Sequence, residues 1–212
     1  MPQAAAAEVK PKKTFRASQA GSERVQKQRV EYWELVRDIL AENLVFIDES
    51  GVLVGLQREQ ARSQVGQRAY ARKPFYRGSK VTVIGAITLK GVLAYTTLSG
   101  SMHGQNFLEF VRQELVPQLW PGAVVVMDNL RAHKVAGVVE AIEAVGARVL
   151  YQSPYSPEFN PIEHWWSQLK VFLRSFSPKT VKAVQQLIEL AVILTYSQDF
   201  RNWFAHCCYC TK

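Results

Sequence analysis

The sequence predicts an α/β fold, a mixed five-stranded sheet flanked by helices, on three observations. Short apolar runs at 44–48, 123–128 and 147–152 read as buried strands. Two β-branched runs, 81–89 and 92–98, meet at Lys90-Gly91 as a hairpin. Between and after these runs lie segments of helical periodicity, giving the order strand, hairpin, helix, strand, helix, strand, helices.

Each element carries its own signal. The first twenty residues combine Ala4 to Ala7 with Lys10, Lys12, Lys13 and Arg16 and hold nothing that builds a core, so they read as a basic arm. Residues 22–42 place Val25, Arg29, Tyr32, Val36 and Ile39 at helical spacing after Ser22, a helix linking the arm to the first strand. The expected division is therefore 1–43, arm and linker helix, and 44–212, the main domain. Leu44-Val-Phe-Ile-Asp48 is a buried strand with an acid at its end, and a basic loop or irregular hairpin comes after it. Phe107, Phe110, Val111 and Leu115 mark a helix over 105–119, and a second helix is expected near 134–145. The stretch 153–161 contains three prolines and reads as loop, with Pro161 suited to begin a helix that runs to about Phe176. Ser177-Pro178 breaks that helix, and Thr180 caps a last one reaching about Tyr196.

Composition bounds the partners. No apolar run approaches the ~18–20 residues of a membrane span, and no secretory signal opens the chain, so a cytoplasmic protein with no membrane partner is expected. The three cysteines, Cys207, Cys208 and Cys210, crowd into the last six residues, a poor disulfide framework. The net charge of +8 is uneven. Between 57 and 80, Arg58, Arg62, Arg68, Arg72, Lys73, Arg77 and Lys80 face only Glu59, a local balance of +6. Lys170, Arg174, Lys179 and Lys182 form a second patch. Two readings stand for these clusters: a solvated surface, or a contact for a polyanion whose counterions are released on binding.

The carboxylates carry the chemistry. Asp48 and Asp128 close two buried strands, at the end of an α/β sheet where ligands bind. Ionised carboxylates there cost several kcal/mol unless paired, and a divalent cation is one such partner. A simple capping role is the other reading. Along the helix after Pro161, Ile162, Trp165, Leu169, Phe172 and Phe176 form an apolar stripe. Glu163, Lys170 and Arg174 fall within about 40° of one another beside it, an acid and two cations turned to one cleft. Glu163 also suits a helix N-terminus for dipole reasons alone.

Three segments resemble, in order, the acid motifs of the Tc1/mariner superfamily of DDE transposases. They are Phe46-Ile-Asp-Glu-Ser-Gly51, Val126-Met-Asp-Asn-Leu-Arg-Ala-His-Lys134 and Ser156-Pro-Glu-Phe-Asn-Pro-Ile-Glu-His-Trp-Trp-Ser-Gln-Leu-Lys170. The 34 residues between Asp128 and Glu163 fit that superfamily, and the likeness is greatest to its bacterial insertion-sequence branch. The resemblance implies a ribonuclease-H-like fold with Asp48, Asp128 and Glu163 as catalytic, metal-holding acids. It implies two Mg²⁺ ions, with Mn²⁺ as substitute, Asp48 bridging them and Asp128 and Glu163 holding one each. It implies cleavage at transposon ends and strand transfer into target DNA, at TA, by a homodimer in a synaptic complex, in the bacterial cytoplasm at the nucleoid.

Further residues join this reading. Arg68, Arg72, Lys73, Arg77, Lys80, Lys170 and Arg174 are the expected contacts to double-stranded DNA. Glu49 is expected on the opposite strand face from Asp48, in a supporting role. Asn129 and His133 either orient Asp128 or contact DNA, and Asn160 with Pro161 shapes the turn before Glu163. Trp165 is expected in the core; Trp166 has two readings, packing or stacking on a base. A transposase of this type carries N-terminal helix-turn-helix modules, which 1–43 does not contain. A separately encoded helix-turn-helix subunit, a full-length frameshift product, or a truncated remnant are the corresponding expectations. Two other functions compete: a non-catalytic remnant that binds DNA or a partner, and a hydrolysis-only ribonuclease-H-like nuclease.

Overall fold

The computed structural model describes residues 18–58, 62–70 and 78–209. Five strands form one sheet in the order β3-β2-β1-β4-β5, where β1 is Leu44–Leu53, β2 Lys80–Thr88, β3 Gly91–Ser99, β4 Val124–Met127 and β5 Arg148–Tyr151. β1, β2 and β3 pair antiparallel, and β4 joins β1 and β5 in parallel. The sheet is thus mixed and five-stranded, as the element order predicts.

Strand alternation sends alternate β1 residues to two cores. Leu44, Phe46 and Val52 face one, with α1 (Glu23–Val36), α4 (Ile162–Phe176), α5 (Val181–Leu194) and α6 (Ser197–His206) packed over it. Val45 and Ile47 face the other, covered by α2 (Gly104–Phe110), its π-helical and 3-10 continuation to Gln118, and α3 (Val138–Glu143). Central strands buried on both faces read as unbroken apolar runs, which is why 44–47 and 123–127 show no alternation.

Several expectations change. The first helix stops at Val36, short of residue 42, because the backbone turns extended at Leu40 before a short turn at Ala41–Asn43. Its Tyr32 and Val36 share the core of β1 and α4. β1 does not end at Asp48 but continues to Leu53, held by antiparallel pairing with β2 through Leu53↔Lys80. The third helix is shorter than 134–145: Arg131–Lys134 is a separate 3-10 turn, and Gly137, at φ 92°, starts α3. Thr180 caps α5 as expected, its hydroxyl accepting from Ala183 N–H at 3.1 Å. α5 is not the last helix, since α6 comes after it and buries Phe200 and Phe204. The spacing Phe200, Trp203, Phe204, Cys207 carries that helix in the sequence. Cys207 is buried and Cys208 exposed, both as free thiols; Cys210 lies outside the described residues. No helix among the described residues is long and apolar enough to cross a membrane.

Candidate active site

β1 and β4 run parallel in the register Leu44↔Val124 to Phe46↔Val126, so two residues further on Asp48 and Asp128 lie side by side. Asp48 is mid-strand in β1 and half-buried, on the α4 face; Asp128 comes immediately after β4. Glu163 stands in the first turn of α4, at the exposed rim, where its N–H donates to Asn160 carbonyl at 3.2 Å. Sheet register thus supplies two acids, and the helix laid on that face supplies the third.

The turn before Glu163 is clamped from far along the chain. Buried Asn160 accepts from Ile162 N–H at 3.4 Å through its side chain, which agrees with its expected turn role. Arg29 of α1 pairs with Glu158 at 2.7 Å, donates to Ser156 at 3.0 Å and stacks 4.3 Å over Phe159. Tyr32 stacks on the same Phe159 ring, and Tyr209 donates its hydroxyl to Phe159 carbonyl at 2.7 Å.

Electrostatics sets the acids apart. Burial pushes the Asp48 carboxyl from 3.8 up to about 7, and the nearby charges of Glu49 and Glu163 push the same way. Burial would raise Asp128 too, but contact with His133 and the Leu130 N–H, 2.9 Å away, outweighs it and holds Asp128 below the ordinary value. Glu163 is raised by burial, against the opposing pull of Lys170, with Asp128 and Glu49 adding to the raise. Solvent at the rim screens those charges.

His133 is the hinge of this field. Fully buried, it contacts Glu49 through Nε2 at 3.1 Å and Asp128 through Nδ1 at 2.6 Å. The Nδ1 approach is bent off the N–H axis, an ion-pair contact more than a well-formed hydrogen bond. Burial alone would lower the imidazole, yet the two carboxylates raise it to about 9, so it is cationic at neutral pH. Glu49 does point away from Asp48, as strand alternation requires, and thereby reaches His133. A fully buried imidazole cannot touch DNA, and its contact with Asp128 is the geometry that an orienting role requires. Asn129 donates to Gln152 carbonyl at 2.6 Å, tying the segment after β4 to the end of β5.

Among the described residues no three His, Cys, Asp or Glu side chains form a closed metal cage. The donor set nevertheless suits a hard cation: carboxylate oxygens that raise one another's pKa, open to solvent on one side, as Mg²⁺ with retained waters requires. A cavity of about 530 Å³ between Glu42, Thr88, Lys90 and Trp120 lies at the other end of the sheet and has no part in this site.

Cations surround the acids unevenly. Lys170 lies two helical turns beyond Glu163, close enough to act on its charge, and Arg174 one turn further; both are half-buried. Lys80 is exposed at the start of β2, paired with Leu53, roughly 17 Å along β1 from Asp48. Arg68 is exposed in the β1–β2 connection, while Arg72, Lys73 and Arg77 lie outside the described residues. Sequence reasoning missed Lys134, which acts on Asp128 and sits 4.9 Å over the Tyr151 ring. Its place inside the second acid motif was the available signal. Trp165 is core, as expected. Stacking of Trp166 on a base is excluded, because the ring is 2% exposed beneath α4.

A mixed sheet in this order, with acids on its first strand, just after its fourth and on a helix packed against it, defines the ribonuclease-H-like class of carboxylate-bearing folds. Within that class the chain belongs to the DDE superfamily endonucleases, whose family model matches residues 43–187. Solved structures agree in fold. A pre-cleavage Mos1 transpososome superposes with a TM-score of 0.78 at 16% identity, covering 94% of this chain and 64% of that one. The Mos1 strand transfer complex gives 0.74 at 17%, covering 94% and 63%. The Mos1 mariner paired end complex with Mn gives 0.75 at 16%, covering 95% and 64%. The chain therefore spans under two thirds of these three Mos1 chains. Comparison with curated proteins finds no match.

Proposed function

We propose that this chain is the catalytic part of a DNA transposase, which hydrolyses phosphodiesters at transposon ends and joins the freed 3′ ends to target DNA, with TA as the expected target. The observation that carries the reading is the convergence of Asp48, Asp128 and Glu163 on one sheet end, in a field of mutual repulsion that a divalent cation relieves.

Asp48, Asp128 and Glu163 are the residues that would hold Mg²⁺, or Mn²⁺ in its place, as hard oxygen donors. Ions bound there supply Lewis-acid stabilisation of the attacking and leaving oxygens in an in-line displacement. The protein's own residues do the rest. His133, charged and buried, fixes Asp128 and neutralises part of the acid cluster, leaving the outward carboxylate face for ligand. The Arg29–Phe159–Tyr209 clamp sets where α4 begins and so where Glu163 stands. Lys170, Lys80, Arg68 and Arg174, with Arg72, Lys73 and Arg77, are the cations we assign to DNA phosphates, and Lys134 adds a cation beside Asp128. A homodimer on paired ends is the assembly this chemistry requires, since two ends must be joined together; the Mos1 paired end complex supports it. A helix-turn-helix subunit or longer product would supply recognition of the ends.

The test is a strand-transfer assay with pre-cleaved ends, the full chain and Mg²⁺ or Mn²⁺. Joined product that disappears in Asp128→Ala is expected. Nicking without joining would favour the nuclease reading, and activity unchanged in Asp128→Ala would remove catalysis from these acids.

A further inference from the structure

Opposite Asp48 the sheet lacks a side chain. Gly85 of β2 is the cross-strand partner of Asp48, and both face α4. A Cβ at Gly85 would sit 2.8 Å from Trp165 Cζ3 and 2.9 Å from Trp166 Cη2, closer than carbon atoms pack. The two indoles occupy that slot together, ring centroids 4.5 Å apart. Seated there, Trp166 donates its Nε1–H to Asp48 Oδ2 at 3.1 Å. Trp165 Nε1, by contrast, is buried with no hydrogen-bond partner among the described residues, so of the adjacent pair Trp166 is the one that aims its polar atom at the site.

We infer that Gly85 and Trp166 form a latch that positions the first acid: the glycine makes room for the indole, and the indole N–H holds the Asp48 carboxylate in one orientation. An indole N–H donates and never accepts, so it engages the carboxylate without competing for a cation. Short of the slot, the ring cannot descend far enough for its N–H to reach a mid-strand carboxylate. This inference rests on the metal-site reading above and deepens it. Both are positioning residues and neither touches substrate.

The experiment is a ¹⁵N-indole spectrum of the full chain, whose five tryptophans give five N–H signals. Trp166→Phe, which keeps an aromatic ring, identifies the Trp166 signal by its loss. Asp48→Asn is expected to move that signal and leave those of Trp33, Trp120 and Trp203 in place; an unmoved signal overturns the latch, and where Trp166→Phe fails to fold, through-space contacts of the indole N–H assign the signal instead. Gly85→Ala is expected to move the Trp165 and Trp166 signals together. Mn²⁺ binding, read by paramagnetic relaxation, is expected to weaken about tenfold in Trp166→Phe, the loss of one hydrogen bond to a charged acceptor. Wild-type binding in Trp166→Phe beside lost binding in Asp48→Ala overturns the latch and leaves the metal site standing. Wild-type binding in Asp48→Ala overturns the metal site, and the latch with it.

Discussion

Replacing Asp48 with Asn should stabilise the metal-free protein above neutral pH. The folded state raises this carboxyl from 3.8 to about 7. A raised acid is protonated more readily when folded than when unfolded, so the folded chain binds more protons and stability falls as pH rises through that window. At about 1.4 kcal/mol per pH unit the full effect is about 4 kcal/mol. Asp48 is half-buried, and solvent screening leaves about 2–4 kcal/mol as the expectation. Asn keeps the shape and a carbonyl for the Trp166 N–H but carries no charge. In EDTA at pH 8 the variant should therefore melt at least about 4 °C above wild type for a chain of this size. Below about pH 3, where Asp48 is protonated in both states, the two should coincide. Mg²⁺ should narrow the gap at pH 8 by stabilising wild type alone. Scanning calorimetry at the two pH values, with and without metal, measures all of this. A variant no more stable than wild type at pH 8 without metal would refute the reasoning, since the charge would then cost the fold nothing.

His133 predicts a loss of stability with rising pH as well, in a higher window. Its imidazole is raised from 6.5 to about 9, so the stability from its two carboxylate contacts is complete below about pH 6.5 and lost as pH rises through 9. Wild type should lose about 3 kcal/mol between pH 6 and 10, as urea midpoints would record, and His133→Ala should not; parallel profiles for the two would contradict this. Arg29→Ala should cost about 1–2 kcal/mol and slow metal-dependent cleavage by loosening the turn before Glu163. Turnover equal to wild type at matched folding would separate α1 from the site. Neutralising Arg68, Arg72 and Lys73 together should reduce the log–log salt slope of DNA binding by about 3, and an unchanged slope would remove this segment from the interface.

Local pattern alone was enough for much of this molecule. The strand runs, the Lys90-Gly91 hairpin, the helix from Pro161 to Phe176 and the placement of Glu163 in its first turn all come from periodicity, caps and proline, which act within a few residues. The second half of β1 was not legible, because Glu49–Leu53 is largely polar or small and becomes strand only by pairing with β2. The same holds for α1: its apolar stripe was visible, but nothing near it states that Arg29 reaches Ser156, more than a hundred residues away.

The sequence by itself determined three candidate acids, their order, and a sheet able to present them, since burial of apolar runs and helix periodicity are local properties. Tertiary structure decided their environment. Register set Gly85 opposite Asp48, packing seated Trp166 in the gap, and strand alternation sent Glu49 to meet His133 behind Asp128. These relations depend on which distant segments share a face and at what offset, and on the dielectric that burial creates around a charge. Both are set only when the whole sheet closes over its two cores.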